Sequence, residues 1–584
     1  IGSGGFFCEE VDAIVDGPVP LVIRRFYNSL QENDHPVYGH WIFLPDSHLD
    51  QNTKDRTASV SDSCGMTLHY GCGHEGKYYV DAKDRNYIYN DSSGILSAKT
   101  FPINNFMEPH PELNEMHVFT CDGIKKIYKL NSSHKKESHY LLSESILTNG
   151  YRVFYTYDSE NRVSQISNAY PSSKIFSWAK FTYAEDKLNY WIDLSDGRHL
   201  TYYNQTADEP NQYLLKHVDR TEGPIVNYEY MPKNPNGKPN IQEQSYNFYV
   251  HKRLKKIAYP DGRSLYNDYY TRSDFKERTV EHPCSGKIRS QQKPLNSDGS
   301  LVPVISYEYK HNHSKKNYYD IENMQVLTKD SNGLSTTYHL YKTHKPLAVE
   351  LFDDHRKICR TEHIIYQEGH CSGNCTIGRF INDSKNTPIA SKRWVSDPKG
   401  NVLQERNYGN ITGTCAYEKI SNEYSPPSSF VPPWQKEPLT LRNFSSLLKQ
   451  YVGAIRFESQ TITGGDCSIR NFSYSNDRFN NLLSETDEKG LTTHYTYIPD
   501  TILIKSIVVE ACNVTYSKTV NDYDEENRLI STLITDGTDN SPQSLITKYE
   551  YANDRLITIA EGYLDTNKSY CQLKRISHEY DQYG

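Results

Sequence analysis

The residues of this chain whose types and spacing best suit chemistry are Cys359, His363, Cys371 and Cys375. Thiolates and imidazoles are the usual zinc ligands. Their C-x3-H-x7-C-x3-C spacing lies near that of tetrahedral structural sites, with His370 as a spare imidazole. The same residues also fit a plain loop, or a disulfide between Cys371 and Cys375, because no second tight pair completes the usual knuckle. Carboxylate pairs such as Asp353-Asp354 and Glu525-Glu526 fall in loops and turns, where solvated acids are the rule. A glycosidase needs two acids across a sugar site, which sequence spacing does not show. The chain holds no Gly-x-Ser-x-Gly elbow, Walker loop, His-Glu-x-x-His or dinucleotide fingerprint. No catalytic residue and no cofactor is expected. Arg162, Arg478, Arg528 and Arg555 each follow a turn. They read either as a ligand-binding row or, preferably, as partners of turn acids whose stems cover neighbouring rings.

Composition narrows the class. Only 36% of the 584 residues are hydrophobic, even with 48 Tyr counted, and the mean hydropathy is −0.76. A conventional Leu/Ile/Val core is therefore not expected, and tyrosine must supply much of the packing. A tyrosine ring buries large area while its hydroxyl stays wet or hydrogen-bonded, which suits a shell around a solvated space. The charge of −8, from 65 basic and 73 acidic residues with no long run of either sign, argues against a phosphate-neutralising surface. No apolar stretch is long enough to span a membrane as a helix. Twelve Cys are too sparse for a disulfide scaffold, although Cys64 and Cys72 could face each other across a hairpin.

The elements that position these residues are hairpins. Asp487-Glu488-Lys489-Gly490 carries Asp where its carboxylate accepts a local backbone N–H, and Gly where positive φ costs nothing. Leu491, Thr493, Tyr495 and Tyr497 then alternate with Thr492, His494 and Thr496, the period of a half-buried strand. The turn recurs as Asp330-Ser331-Asn332-Gly333 and Asp397-Pro398-Lys399-Gly400, and with Asn as Asp158-Ser159-Glu160-Asn161 and Asp524-Glu525-Glu526-Asn527. Asn149-Gly150, Asp196-Gly197 and Asp261-Gly262 read as two-residue type I′ turns. So many hairpin turns beside Tyr-x-Tyr indicate a repeat protein.

Tyr155-Thr156-Tyr157-Asp158-Ser159-Glu160-Asn161-Arg162-Val163 resembles the tyrosine-aspartate (YD) repeat of RHS proteins, Y-x-Y-D-x-x-G-R-L. Tyr523-Asp524-Glu525-Glu526-Asn527-Arg528-Leu529 repeats the match, and Tyr549-Glu550-Tyr551-Ala552-Asn553-Asp554-Arg555-Leu556 is a shortened copy. Asp16-Gly17-Pro18 leading to Arg24-Arg25-Phe26-Tyr27-Asn28-Ser29 is similar to the segment that opens the region before such repeats. The resemblance implies an all-β fold of antiparallel hairpins spiralling into a large YD-repeat β-shell. Residues 1–145 form an N-terminal β-rich region and residues 146–584 the repeat shell.

Within that shell, residues 425–451 read as an insertion, Pro-rich at first. Leu441, Phe444, Leu447, Leu448 and Tyr451 then fall at helical spacing, which predicts an amphipathic helix over 439–451. The resemblance further implies a secreted or cell-surface structural carrier that encloses its own carboxy-terminal toxin or cargo domain and meets secretion machinery, or a surface glycan or protein. No enzymatic activity is expected of it, apart from the family-type autoproteolysis that the resemblance allows in a segment beyond this chain. An adhesion or carbohydrate-binding protein and a polysaccharide-processing enzyme are the alternatives. The closing Tyr580-Asp581-Gln582-Tyr583-Gly584 begins another repeat, so the chain is expected to be a fragment whose decisive part follows it.

Overall fold

The computed structural model describes residues 5–29, 41–43, 48–52, 57–61, 67–72, 78–80, 106–120, 123–131, 139–185, 188–206, 213–221, 223–232, 252–271, 287–294, 300–313, 321–341, 345–366, 376–385, 388–396, 402–408, 440–448, 455–463, 468–475, 479, 481–487, 489–537, 544–552, 555–565 and 567–580. Among these the fold is antiparallel β, and the helical content is one 3-10 turn, Pro111–Leu113. Three strands, β1 (Phe7–Val15), β2 (Leu21–Asn28) and β3 (Trp41–Phe43), make a small separate sheet. All later strands, from His48–Asn52 to Tyr570–Ser577, belong to one ribbon in which each strand pairs with the next. Near its start, His48–Asn52 also pairs with His139–Ile146, closing eight strands into a ring. Beyond that ring the ribbon continues strand by strand without returning to pair with itself among the described residues.

The turns share one geometry. In the Asp487 turn, the Gly490 N–H donates to the Asp487 carbonyl at 3.1 Å and the Asp487 N–H to the Leu491 carbonyl at 2.9 Å. Gly490 takes φ +81°. The Asp487 carboxylate accepts from the N–H groups of Lys489 and Leu491 at 2.9 and 2.8 Å. Asp158, Asp330, Asp353, Asp524 and Asp565 repeat this pair of bonds. The expected type I′ turns are this same turn. A type I′ turn needs positive φ at both central residues. Gly150, Gly197 and Gly262 have it, but Asn149, Asp196 and Asp261 do not. Each glycine donates back three residues, to Leu147, Leu194 and Tyr259, so Asn or Asp has moved to the third turn position while Gly keeps the fourth.

Tyr-x-Tyr shapes the ribbon. The first tyrosine faces isoleucine across the ladder in Tyr155–Ile166, Tyr228–Ile257, Tyr495–Ile507 and Tyr549–Ile559, a favourable aromatic and β-branched pairing. The second follows a register shift in the same ladder, at Thr156/Tyr157, Glu229/Tyr230, Thr496/Tyr497 and Glu550/Tyr551, and Tyr523, with Asn521 in place of the first tyrosine, follows one at Asp522/Tyr523. Its hydroxyl donates to a carbonyl on the preceding strand: Tyr157 to Leu142 at 2.7 Å, Tyr230 to Leu215 at 2.8 Å, Tyr497 to Leu482 at 2.8 Å and Tyr551 to Leu529 at 3.0 Å. A bulge bends its strand and adds twist, so repeating one at hairpin after hairpin curves the ribbon as it grows.

The segment expected to be helical is instead a strand, Thr440–Leu448, paired with Val402–Tyr408 on one side and Ile455–Thr463 on the other. A stripe of five apolar residues does not establish a helical period by itself, and two neighbouring strands offer backbone hydrogen bonds that outweigh propensity. This part of the supposed insertion is thus built into the ribbon. Residues 425–439 lie outside the described residues, as do the Asp397–Gly400 turn and Cys64.

The ribbon is thin. Its main apolar cluster lies where β1 to β3 cover the strands from Val163 to Ile288. Past Leu340, Ala560 is the one buried apolar side chain among the residues whose side chains are described.

Candidate functional site

Among the described residues, none of the sequence candidates for chemistry assembles into a reactive site. Cys359 and His363 share the strand Ile358–Tyr366. An extended strand rises about 3.3 Å per residue, which sets the two about 13 Å apart, too far for one tetrahedral ion with bonds of about 2 Å. Cys371 and Cys375 lie outside the described residues. Among the described residues no group of three His, Cys, Asp or Glu side chains is placed to hold a metal ion.

The repeat residues lie at separate turns and strands along the ribbon. Arg162 Nε donates to Asp158 at 2.7 Å and its guanidinium lies 4.3 Å over the Tyr183 ring. Arg528 repeats this with Asp524 at 2.6 Å and Tyr551 at 5.0 Å, and Arg555 lies 5.3 Å over Tyr580. Tyr523 donates to the Ile504 carbonyl at 3.0 Å. These contacts tie each turn to a neighbouring hairpin. Arg478 lies outside the described residues.

A buried ion pair with its polar partners joins the small sheet to the ribbon. Along β2 the inward positions are Leu21, Ile23, Arg25 and Tyr27, so Arg25 stands where the alternation calls for an apolar residue. On β1 the ladder slips between Val11 and Ala13, leaving Asp12 as the extra residue of a bulge, and its side chain turns inward. Arg25 Nε and Nη2 donate to the two Asp12 carboxylate oxygens at 2.5 and 2.8 Å, a bidentate pair with both side chains fully buried.

The ribbon supplies the remaining partners. Tyr202 and Arg220 donate to Asp12 at 2.8 Å each, and Arg25 donates to the Tyr228 hydroxyl at 3.0 Å. The Arg25 guanidinium also lies 4.5 Å from the centre of the Trp41 ring. Trp41 Nε1 donates to Tyr230 at 2.9 Å, and the Tyr27 hydroxyl accepts from the Leu254 N–H at 2.8 Å. Each strand of the small sheet thus hands a polar group to the wall through an apolar interface. The signal for this site was available in the sequence as Arg25 within the alternation Leu21-Ile23-Arg25-Tyr27, but a single sequence does not show which acid meets it.

Burial works against both charges, yet each keeps the other ionised. Burial would raise the Asp12 carboxyl, but Arg25 and Arg220 overcome it and hold Asp12 below the usual carboxylate range. Burial likewise would lower Arg25, and Asp12 raises it. Desolvation pushes the Tyr202 and Tyr230 hydroxyls well above the usual phenol value. A lowered carboxylate contributes stability that is present above its unfolded value of about 4 and is lost as pH falls through the folded one; a raised phenol contributes stability that is present below about pH 10 and is lost as pH rises through its folded value. The urea midpoint is therefore expected to fall at both extremes, and Asp12→Asn is expected to flatten the acid limb. An acid limb of unchanged slope in that variant would contradict the role given to Asp12.

Comparisons with known proteins cover different shares of the chain. Residues 1–70 match a family described as a domain of unknown function, DUF6531. No curated protein matches the chain. Among solved structures, the crystal structure of TcdB2-TccC3 aligns over 88% of this chain and 31% of its own, at 9% identity and a TM-score of 0.29. The Photorhabdus luminescens Tc holotoxin pore aligns over 96% of this chain and 32% of its own, at 10% identity and a TM-score of 0.28. A porin-like protein from Bacteroides uniformis aligns over 39% of this chain and 91% of its own, at 11% identity and a TM-score of 0.19. The chain spans about a third of the length of the first two.

Proposed function

We propose that this protein is a structural wall of the RHS or YD-repeat kind, which encloses a polypeptide passenger, an effector or toxin domain, for delivery outside the cell. The observation that carries this reading is the long ribbon of consecutively paired hairpins, curved by a repeated bulge, whose main apolar cluster is confined to the part that the small sheet covers. An enzyme of this size would gather polar groups around a cleft; here the buried charges serve to join two sheets. The later strands add a surface for a passenger. Ile534, Leu545 and Tyr563 are opposite one another in successive ladders, and all three are exposed. Such a row offers soft apolar contact without the deep pockets of a specific ligand site. The small sheet has the role of a fixed brace, docked on the wall through Arg25 and Asp12.

The test is protease protection of the protein expressed from its natural reading frame. A passenger held by the wall is expected to resist trypsin in the native protein and to be digested once the ribbon is unfolded in urea. Digestion of every segment outside the ribbon at equal rates before and after unfolding would overturn the carrier reading. If the same preparation then bound cells or glycans, the adhesion alternative would take its place.

A further inference from the structure

In an antiparallel ribbon the turns alternate between two rims, those after odd-numbered strands on one and those after even-numbered strands on the other. Contacts between residues more than 350 positions apart join these rims. The Ile502 N–H donates to the Thr148 carbonyl at 3.0 Å. Ser172 Oγ donates to the Glu526 carboxylate at 2.8 Å, and Asn527 Nδ2 donates to the Asn149 carbonyl at 2.9 Å. A Cβ on Gly123 would lie 3.3 Å from the Phe479 ring. Counted from β1, the earlier partners lie in turns after the ninth, eleventh and thirteenth strands (Glu115–Phe119, His139–Ile146 and Val163–Ala169), and the later ones in turns after the thirty-second, thirty-fourth and thirty-sixth (Ser468–Tyr474, Thr492–Tyr497 and Val514–Tyr523). The interval is twenty-three strands in three of the four contacts and twenty-five in the fourth, because the turn holding Asn527 sits between two earlier turns. It is odd every time, as joining opposite rims requires.

We propose that the ribbon closes a lap of twenty-three to twenty-five strands through a seam in which the turn side chains of one rim recognise the other, and that Asn527 is the residue that reads the seam. Asn527 takes φ +59°, a conformation that Gly490 and Gly333 supply in sister turns without a side chain. Turn geometry alone would be served by glycine. The amide adds a donor that crosses to the earlier rim, and the surface it meets is shaped for it: a Cβ on Gly150 would lie 2.9 Å from Asn527 Nδ2. Gly262 and Gly490, in turns of the same geometry away from these contacts, have nothing within 4 Å of a Cβ. Recognition between rims fixes how many strands make one lap, and so the width of the enclosed space.

Asn527→Gly separates the turn from the seam, since glycine keeps the positive φ and removes the amide. Lys568→Gly is the control, a substitution at the same turn position with φ +59° that takes no part in these contacts. The readout is hydrogen–deuterium exchange of the segment holding Ile502, whose N–H crosses the seam. Losing one seam hydrogen bond is expected to speed that exchange about tenfold in Asn527→Gly and, independently, in Ser172→Ala, with less than about twofold change in Lys568→Gly. The proposal is overturned if neither seam variant changes the exchange, or if Lys568→Gly changes it equally.

Discussion

Replacing Arg25 by Ala is expected to destabilise the docked small sheet by about 3–5 kcal/mol, the usual cost of removing one partner of a buried ion pair. The large figure follows from what is left behind. Asp12 would remain fully buried with its bidentate partner gone, and Arg220, the remaining cation within bonding distance, touches only one of its oxygens. Trp41 would lose the guanidinium stacked on its ring at the same time. The neighbouring residue gives the internal control. Arg24 pairs with Glu9 at 3.3 Å, but both side chains are about two-fifths exposed, so Arg24→Ala is expected to cost under about 1 kcal/mol. Urea unfolding followed by proteolysis of the first 30 residues distinguishes the two. Equal effects for Arg24 and Arg25 would contradict the buried pair.

Trp41→Ala is expected to cost a further large amount, about 3–5 kcal/mol, as for other buried aromatic truncations. Trp41 is 1% exposed and is among the largest fully buried side chains of the molecule. Its ring lies 5.3 Å from Tyr27 on β2 and 5.0 Å edge-on to Tyr228 of the ribbon. Its indole N–H donates to Tyr230, which itself donates to Leu215. Truncation would open a cavity between the sheets and break the first link of that chain. Trp41→Phe restores most of the volume but not the donor, and is expected to recover more than half of the loss. A loss below about 1 kcal/mol for Trp41→Ala would show that the small sheet does not rest on this residue.

Local chemistry was legible in the sequence where it decides the structure. The Asp at the first turn position, the Gly or Asn with positive φ, and the alternation after Asp487 all fold as their residue types require. The type I′ assignment for Asn149-Gly150 failed because a dipeptide does not show where the turn begins, and the bond from Gly150 back to Leu147 settles it. The helix expected over 439–451 failed because ribbon pairing is decided by neighbours tens of residues away. Long-range facts were the least legible. Arg25 is visible as a charge in an apolar alternation, but its pairing with Asp12 depends on a bulge in β1, and its contact with Tyr228 joins residues 203 positions apart. The zinc candidates show the converse, since a suitable spacing means little once two of the four lie along one extended strand.

The wall itself is tested most directly by small-angle X-ray scattering of the purified chain. A compact protein of 584 residues has a radius of gyration of about 25 Å. A curved ribbon one sheet thick places its mass away from the centre, so the expected radius is clearly larger, with a distance distribution skewed toward long vectors as in a hollow body. A radius at or below about 25 Å with a symmetric distribution would contradict a wall and the carrier function built on it.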